Sequence, residues 1–245
     1  ESTACILTQY PNFYGGIEAM EMLSDTAHYK GALLAVSANP VALGMFKAPG
    51  DYGADIVTGE TQSIGVPMSF GGPFVGYFTC KNDYIRQMPG RIVGRTVDHN
   101  DRVGYVLTLQ TREQHIRRER ATSNICTSEA LIATGTAVCM AALGPDGLRQ
   151  MANLSYQKAH YAAAAINALD GYEVVNHGTW FHEFVVTCPQ SSKETSRKLI
   201  ERGIIGGLDI SDVEPNGMLF CVTEMNSKSE IDSLVETLKN ISTGL

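Results

Sequence analysis

The chain has 245 residues, of which 44% are hydrophobic and 18% are charged, so it is long enough to bury a substantial core in one large domain or two smaller ones. Its formal net charge of -7 at pH 7 argues against a general nucleic-acid-binding surface. The six cysteines are widely spaced without a C-x-x-C pair and most sit among apolar neighbours, so we expect buried, reduced thiols in a cytoplasmic protein rather than disulfides or a zinc site. No apolar run reaches the length of a membrane span.

The first part of the chain alternates apolar runs with one amphipathic segment, which predicts a βαβ unit. The helix opens at Gly15 and Gly16, carries apolar residues at helical spacing and ends at Gly31. A strand, a helix and a strand joined by short links imply a parallel sheet with a right-handed crossover. The predicted strands of this part cover residues 4–8, 32–36, 55–57 and 75–79.

The middle of the chain leads into a long helical segment. We expect a short helix at 82–88, a loop at 90–100 and a strand at 104–109. A helix then begins near Ser128, is broken at Gly144 and Pro145, and continues to about Leu169.

The last part of the chain predicts a small α/β layer. Strands are expected at 172–175, 181–187 and 218–223, and helices at 192–202 and from 227 onward. We place the domain change along the long helix, so the two domains cover residues 1–127 and 128–245.

A polar loop at 59–73, with the sequence GETQSIGVPMSFGGP, separates two predicted strands. Glycine permits a positive φ and a close backbone approach, so Gly71 and Gly72 are candidates for contact with a ligand. The loop has no G-K-[ST] and the chain has no G-x-G-x-x-G, so as a nucleotide-binding motif it is weak.

Arginine is concentrated in one segment, since eight of the eleven arginines lie between Arg86 and Arg120 and no lysine does. Guanidinium groups bind phosphate and carboxylate in a bidentate way, which favours an anionic ligand or an acidic partner. A solvated helix with salt bridges to Glu113 and Glu119 explains the same composition. The candidate contacts for an anion or partner are Arg112, His115, Arg117 and Arg118.

Thr122, Ser123 and Asn124 precede the predicted long helix. Hydroxyls and backbone N–H groups at such a position bind anions, and they also form an ordinary helix N-cap. The six histidines show no H-x-x-x-H pairing and no G-x-S-x-G is present, so we predict neither a metal site nor a hydrolase elbow.

Several segments together resemble one family, the glycine decarboxylase P-proteins of the glycine cleavage system, and more narrowly the subunit 1 type of the two-subunit bacterial form. The matching segments are 9–13 (QYPNF), 55–63 (DIVTGETQS), 67–73 (PMSFGGP), 88–91 (MPGR), 107–119 (LTLQTREQHIRRE), 121–127 (ATSNICT), 206–209 (GGLD) and 221–224 (CVTE). The resemblance covers effectively the whole chain and implies the C-terminal portion of a longer subunit. The implied fold is α/β, that of a fold-type-I PLP-dependent transferase similar to aspartate aminotransferase, with part of the large domain and a small C-terminal domain.

The resemblance also implies that this chain does not hold pyridoxal 5'-phosphate (PLP) covalently. The family's catalytic subunit carries His-Lys-Thr where this chain has Thr61, Gln62 and Ser63, so Gln62 stands near the position of the Schiff-base lysine. Fold relatives place an aspartate at the end of the preceding strand to hold the pyridine nitrogen protonated. Here Ser37 lies near that position, and residues 36–39 (VSAN) contain no carboxylate.

The role that the resemblance leaves for this chain is to complete the active site of a partner. It implies that Thr122, Ser123 and Asn124 bind the phosphate of PLP held by subunit 2 (β), within a cytoplasmic heterotetramer. The family reaction is an oxidoreductase step in which glycine is decarboxylated on PLP and the aminomethyl group passes to the lipoamide of H-protein.

Two alternatives remain at this stage. One alternative is that the chain is an interaction module that does not contact PLP. The other is that it is a different fold-type-I PLP enzyme, whose Schiff-base lysine is, for example, Lys47 or Lys81.

Overall fold

The computed structural model describes residues 3–69, 71–90, 92–109, 114–121 and 129–243. Its first unit is a four-stranded sheet in the order β1-β2-β3-β4, with β1, β2 and β3 parallel and β4 antiparallel to β3. The elements are β1 (Cys5–Tyr10), α1 (Met20–Tyr29), β2 (Leu33–Ala38), β3 (Ile56–Glu60) and β4 (Gly76–Cys80). The predicted βαβ unit with a parallel sheet is therefore confirmed.

The core of the first unit forms where β2 packs against α1. Leu34, Val36 and Ala38 alternate along β2 and are buried with Met20 and Ala27 of the helix. This period of two on the strand buries one face of the sheet under the helix.

The helix α1 begins at Met20, so the predicted start at Gly15 and Gly16 is wrong. Gly15 has a φ of 85° and its N–H donates to Asn12 O at 2.9 Å, which makes this stretch a turn. The same turn binds the second unit, because Phe181 N donates to Gly15 O at 2.9 Å. A tertiary contact thus overrides the helical spacing of the apolar residues.

A separate hairpin follows the first sheet, with β5 (Ile92–Val97) antiparallel to β6 (Val103–Thr108). The strand predicted at 104–109 is confirmed, whereas the loop predicted at 90–100 is wrong. Asp98 closes the hairpin, since its carboxylate accepts hydrogen bonds from Asn100 N at 2.8 Å and Arg102 N at 3.0 Å. The helix predicted at 82–88 is only a 3-10 turn, Asn82–Tyr84.

The short helix α2 (Gln114–Arg117) precedes the long helix α3 (Ala130–Asn167). The helix α3 is bent at Gly144, where φ is 62° and ψ is -177°, with Pro145 next in the chain. The predicted break at these two residues is confirmed. By length and composition alone α3 could cross a membrane, which the sequence pattern did not suggest. Its second half packs as a core helix of the second unit, through residues that include Ala159, Ala163 and Ile166.

The second unit is an antiparallel sheet in the order β7-β8-β10-β9, covered on one face by helices. Its elements are β7 (Glu173–Val174), β8 (Glu183–Thr187), α4 (Ser192–Glu201), β9 (Leu208–Asp209), β10 (Gly217–Cys221) and α5 (Lys228–Thr243). The core joins Phe184, Met218 and Phe220 of the sheet with Leu199 and Leu238 of the helices. The small α/β layer predicted for this part is confirmed, and the domain boundary itself stays a prediction.

The two units meet through the loops that follow the parallel strands. Val41, Ala42 and Ile64 of these loops form a buried cluster with Ala152 of α3 and Phe181. The five described cysteines, Cys5, Cys80, Cys139, Cys188 and Cys221, are free thiols. Of these five Cys188 is buried, whereas Cys5 and Cys221 are exposed, so the predicted burial is wrong for these two.

Candidate functional site at the carboxyl edge of the parallel sheet

The three parallel strands end at one edge of the sheet. Tyr10 at the end of β1 is in register with Ala38 at the end of β2, and Ser37 is in register with Thr58 of β3. In open α/β sheets ligands bind outside the carboxyl ends of parallel strands. This edge is therefore the candidate site.

The loop after β3 is held in place at its start. Thr61 Oγ1 lies 3.2 Å from Val75 O and 3.2 Å from Thr136 Oγ1 of α3. Glu60 accepts a hydrogen bond from Gln62 N at 2.6 Å. The carboxylate of Glu60 thus holds the backbone of Gln62 in place. Gln62 is half-buried at the carboxyl edge of the sheet.

Gly59 of β3 leaves room for the Tyr77 side chain of β4 to cross β3 and reach the end of β2. A Cβ at this position would lie 2.3 Å from the ring of Tyr77 and 2.4 Å from Ala38 O. The Tyr77 hydroxyl donates to that same carbonyl at 2.7 Å, and burial raises the pKa of Tyr77. Sequence reasoning did not single out Tyr77, and the signal that could have found it is the glycine inside a strand, which marks a close approach.

The end of β2 carries only neutral polar groups. Ser37 is half-buried, and Asn39 Oδ1 accepts a hydrogen bond from Val41 N at 2.9 Å. The amide of Asn39 therefore shapes its own turn. Residues 36–39 supply no carboxylate to pair with a protonated pyridine nitrogen.

The two lysines nearest in sequence to the loop have other partners. Lys81 Nζ lies 2.7 Å from Asp55 Oδ1 and 2.9 Å from Gly53 O, just before β3 begins and so at the opposite edge of the sheet. Lys47 Nζ lies 3.5 Å from Glu21 Oε1 and 4.2 Å from the ring centre of Tyr52.

The residues at the carboxyl edge therefore do not fit a PLP group bound covalently to this chain. Gln62 ends in an amide, which cannot form an imine, and Ser37 ends in a hydroxyl, which cannot pair as a carboxylate with a protonated pyridine nitrogen.

The glycine turn at the far end of the loop leaves room for a neighbour. Gly71 and Gly72 have φ of 101° and 100°, values that glycine adopts most easily. A Cβ added at Gly71 would meet no heavy atom within 4 Å. Their contact with a ligand stays a prediction.

The arginine segment is described only in part. His115 and Arg117 lie in a short helix, Gln114–Arg117, followed by the 3-10 turn Arg118–Arg120, and all are exposed. Arg112 and the candidate phosphate contacts Thr122, Ser123 and Asn124 lie outside the described residues. Their roles, and those of His115, Arg117 and Arg118, remain predictions.

A pocket of about 270 Å³ lies beside this edge, where the loop after β1 meets the second unit. Asn12 Oδ1 accepts hydrogen bonds from Tyr14 N at 3.0 Å and Gly16 N at 2.9 Å. Asn176 Nδ2 donates to Tyr14 O at 2.8 Å, and its Oδ1 accepts from Val185 N at 2.6 Å. The two asparagines hold the walls of a pocket that no local sequence pattern indicated, because its residues are far apart in the chain.

Comparison with known proteins identifies the family. Residues 1–238 match the family described as "Glycine cleavage system P-protein". The chain is 49% identical over 242 residues to "Probable glycine dehydrogenase (decarboxylating) subunit 1" of Thermomicrobium roseum, covering 98% of this chain and 54% of that protein. The protein of the same name from Brevibacillus brevis is 50% identical over 244 residues, covering 98% and 54%. The chain thus spans about half the length of the curated relatives that it matches.

Solved structures agree with this result. A crystal structure titled as glycine decarboxylase (P-protein) of the glycine cleavage system in inhibitor-bound form has a TM-score of 0.92 and 41% identity, covering 97% of this chain and 55% of that one. A NifS-like protein with a TM-score of 0.68 and 15% identity, covering 100% and 62%, shares the fold alone. The predicted fold class, that of the fold-type-I PLP-dependent transferases, is confirmed. From its sequence and its fold, this chain belongs to the glycine cleavage system P-protein family.

Proposed function

We propose that the chain is part of a glycine dehydrogenase (decarboxylating), the P-protein of the glycine cleavage system, and that it acts as the subunit without the Schiff-base lysine. The observation that supports this proposal is that the carboxyl edge of the sheet carries the amide of Gln62 and the hydroxyl of Ser37, which can neither form an imine nor pair with a protonated pyridine nitrogen. The names of the curated relatives support the first part of the proposal, that the chain is part of subunit 1 of a glycine dehydrogenase (decarboxylating). In the complete protein, PLP supplies the electron sink for glycine decarboxylation while it is bound to the partner, subunit 2.

The residues of this chain then shape a site whose chemistry belongs to the partner. Thr122, Ser123 and Asn124 provide hydroxyl and backbone donors for the PLP phosphate, and Gly71 and Gly72 let the backbone approach it. Arg117 and Arg118 are exposed cations on the segment that leads to these residues. This placement suits an anionic group of the cofactor or of the lipoylated H-protein that receives the aminomethyl group.

A borohydride trapping experiment tests which chain holds the cofactor. The chain is mixed with PLP, with and without separately produced subunit 2, reduced, digested and mapped by mass spectrometry. We expect modification of a lysine on subunit 2 only. We also propose that the assembly of the two subunits is cytoplasmic. Reduced PLP on Lys47 or Lys81 in the presence of subunit 2 would instead make this chain a PLP enzyme in its own right.

A second candidate function is that of a PLP-free interaction module, and exposed apolar surface favours it. Leu131 of α3 is 83% exposed and Tyr105 of β6 is 71% exposed, as large apolar side chains at interfaces are before assembly. In that case the chain binds subunit 2 without touching its cofactor. Substitution of Thr122 and Ser123, described in the Discussion, separates the two roles.

A further inference from the structure

Three side chains that can ligate a metal meet at one end of the second sheet. Glu183 opens β8 and Cys221 ends β10, and these two residues are register partners across the antiparallel ladder. His182 lies in the bend just before β8, where its carbonyl accepts a hydrogen bond from Val222 N at 3.0 Å. One ligand atom from each of the three side chains lies within 4.8 Å of the other two. Strand pairing brings these residues together, although Cys221 is far from His182 and Glu183 in the sequence. They form no sequence motif, and so the sequence predicts no metal site.

The imidazole of His182 has a ring nitrogen without a partner. The residue is 8% exposed, and its Nδ1 is buried with no hydrogen-bond partner in the described structure. Buried polar atoms nearly always have a partner, so an orphan atom beside other ligand groups points to something that binds there.

The backbone around Glu183 is packed tightly against the first unit. A Cβ at Gly15 would lie 1.9 Å from Glu183 O, so the turn after β1 covers this strand end. Cys221, in contrast, is exposed, which gives an ion in solution access to the cluster.

We propose that His182, Glu183 and Cys221 form a binding site for a zinc ion. A nitrogen, a carboxylate oxygen and a thiolate are the ligand types that zinc accepts together, and three protein ligands leave the fourth tetrahedral position to water. Zinc–ligand distances of about 2.0–2.3 Å place neighbouring ligand atoms roughly 3.5 Å apart. The three ligand atoms lie within 4.8 Å of one another without an ion, so the proposal requires the exposed Cys221 side chain to rotate toward His182 and Glu183. The ion joins the start of β8 to the end of β10, next to the junction of the two units.

Metal binding to the whole, tag-free chain tests the proposal. We expect one equivalent of Zn²⁺ to be retained against a chromogenic chelator, and Co²⁺ in its place to show a thiolate charge-transfer band with tetrahedral d–d bands. Wild-type protein that retains no Zn²⁺, or that gives an octahedral Co²⁺ spectrum without the thiolate band, overturns the proposal. This wild-type measurement is decisive whether or not any variant folds.

Variants assign the ligands. Cys221→Ser removes the charge-transfer band and weakens Zn²⁺ binding at least tenfold, a loss of about 1.4 kcal/mol. Glu183→Gln weakens binding while the thiolate band remains. Cys5→Ser is the matched control, because Cys5 is an exposed thiol on β1 outside the cluster. A band that survives Cys221→Ser and disappears in Cys5→Ser refutes the assignment.

Discussion

At the scale of single residues, Asp55 joins three parts of the first unit through one buried carboxylate. It accepts a hydrogen bond from Leu34 N at 2.8 Å and lies 2.8 Å from His28 Nε2 and 2.7 Å from Lys81 Nζ. Burial alone would raise the pKa of Asp55, but the hydrogen bonds from Lys81, Leu34 and His28 outweigh it and lower the pKa. The ionised form is therefore the one that stabilises the fold.

The contacts of Asp55 do not form a hydrolytic triad, although their order invites the comparison. Ser24 Oγ lies 3.4 Å from His28 Nδ1, and His28 Nε2 lies against Asp55. Ser24 is only 4% exposed, so a substrate has no access to its hydroxyl. The arrangement is a structural tie between α1 and the start of β3.

Asp55→Asn is expected to lower the free energy of unfolding by about 2–3 kcal/mol at pH 7, because it removes the charge that pairs with Lys81. A carboxylate whose pKa is lower in the folded state adds stability above its unfolded value of about 3.9, and this stability is lost as the pH falls through the folded pKa. The difference from wild type should therefore shrink on acidification. Urea denaturation at several pH values measures it.

The matched control is Asp51→Asn, which changes an exposed carboxylate near the same strand. We expect its effect to stay within about 0.5 kcal/mol. A deficit of Asp55→Asn that is the same at pH 2 and pH 7 would show that side-chain shape, and not charge, explains the loss.

At the scale of elements, the contact between β3 and β4 depends on the missing side chain of Gly59. The aromatic ring of Tyr77 occupies the space that a Cβ would need. The close approach of the Tyr77 ring to Gly59 places the Tyr77 hydroxyl at Ala38, next to Ser37 at the carboxyl edge.

Gly59→Ala is expected to destabilise the chain by about 1–3 kcal/mol, since the new methyl group overlaps both Tyr77 and the carbonyl of Ala38. Gly104→Ala is the control, because a Cβ at Gly104 in β6 meets no heavy atom within 4 Å. Chemical denaturation curves of the two variants compare them. Equal free energies of unfolding for the two variants would mean that β3 and β4 can move apart without loss of stability, which would contradict the tight packing of Tyr77 on Gly59.

Elements with strong local patterns were predictable from the sequence, whereas elements that depend on tertiary contacts were not. The break at Gly144 and Pro145 follows from the backbone chemistry of these two residues. The sequence predicts a loop where β5 forms, because Gly94 and Arg95 hide the period of two, and the strand depends on pairing with β6. At the site, the loop with Gln62 was predictable from its glycines and its position between two strands. The pocket between Asn12 and Asn176 was not, because these residues are distant in the sequence and come together only in the folded chain.

At the scale of the whole molecule, the chain carries apolar surface that its own fold leaves uncovered. Val138 on the first half of α3 is 63% exposed, and Leu131 lies on the same half of the helix. That half also contacts the site loop, since Thr136 lies beside Thr61. A partner that covers this helix therefore lies next to the carboxyl edge of the sheet.

Thr122→Ala combined with Ser123→Ala is expected to weaken PLP retention several-fold in the complex with subunit 2, because the phosphate loses hydroxyl donors. Retention is measured from absorbance after gel filtration. Thr134→Ala serves as the control, since Thr134 is an exposed hydroxyl on α3 that donates to Ala130 O at 2.8 Å. Unchanged retention with intact assembly would favour the PLP-free interaction module.

The junction of the two units determines which motions the molecule can make. It is built from main-chain hydrogen bonds, such as Ile17 N to Thr179 O at 2.9 Å, and from asparagine amides bound to backbone atoms. A hinge needs a few backbone torsions that can change freely, and here hydrogen bonds on both sides of the junction hold them. We expect the second unit to move with the sheet as one rigid body. Any response to a bound ligand then falls to the glycine turn after β3 and to the hairpin, not to domain closure.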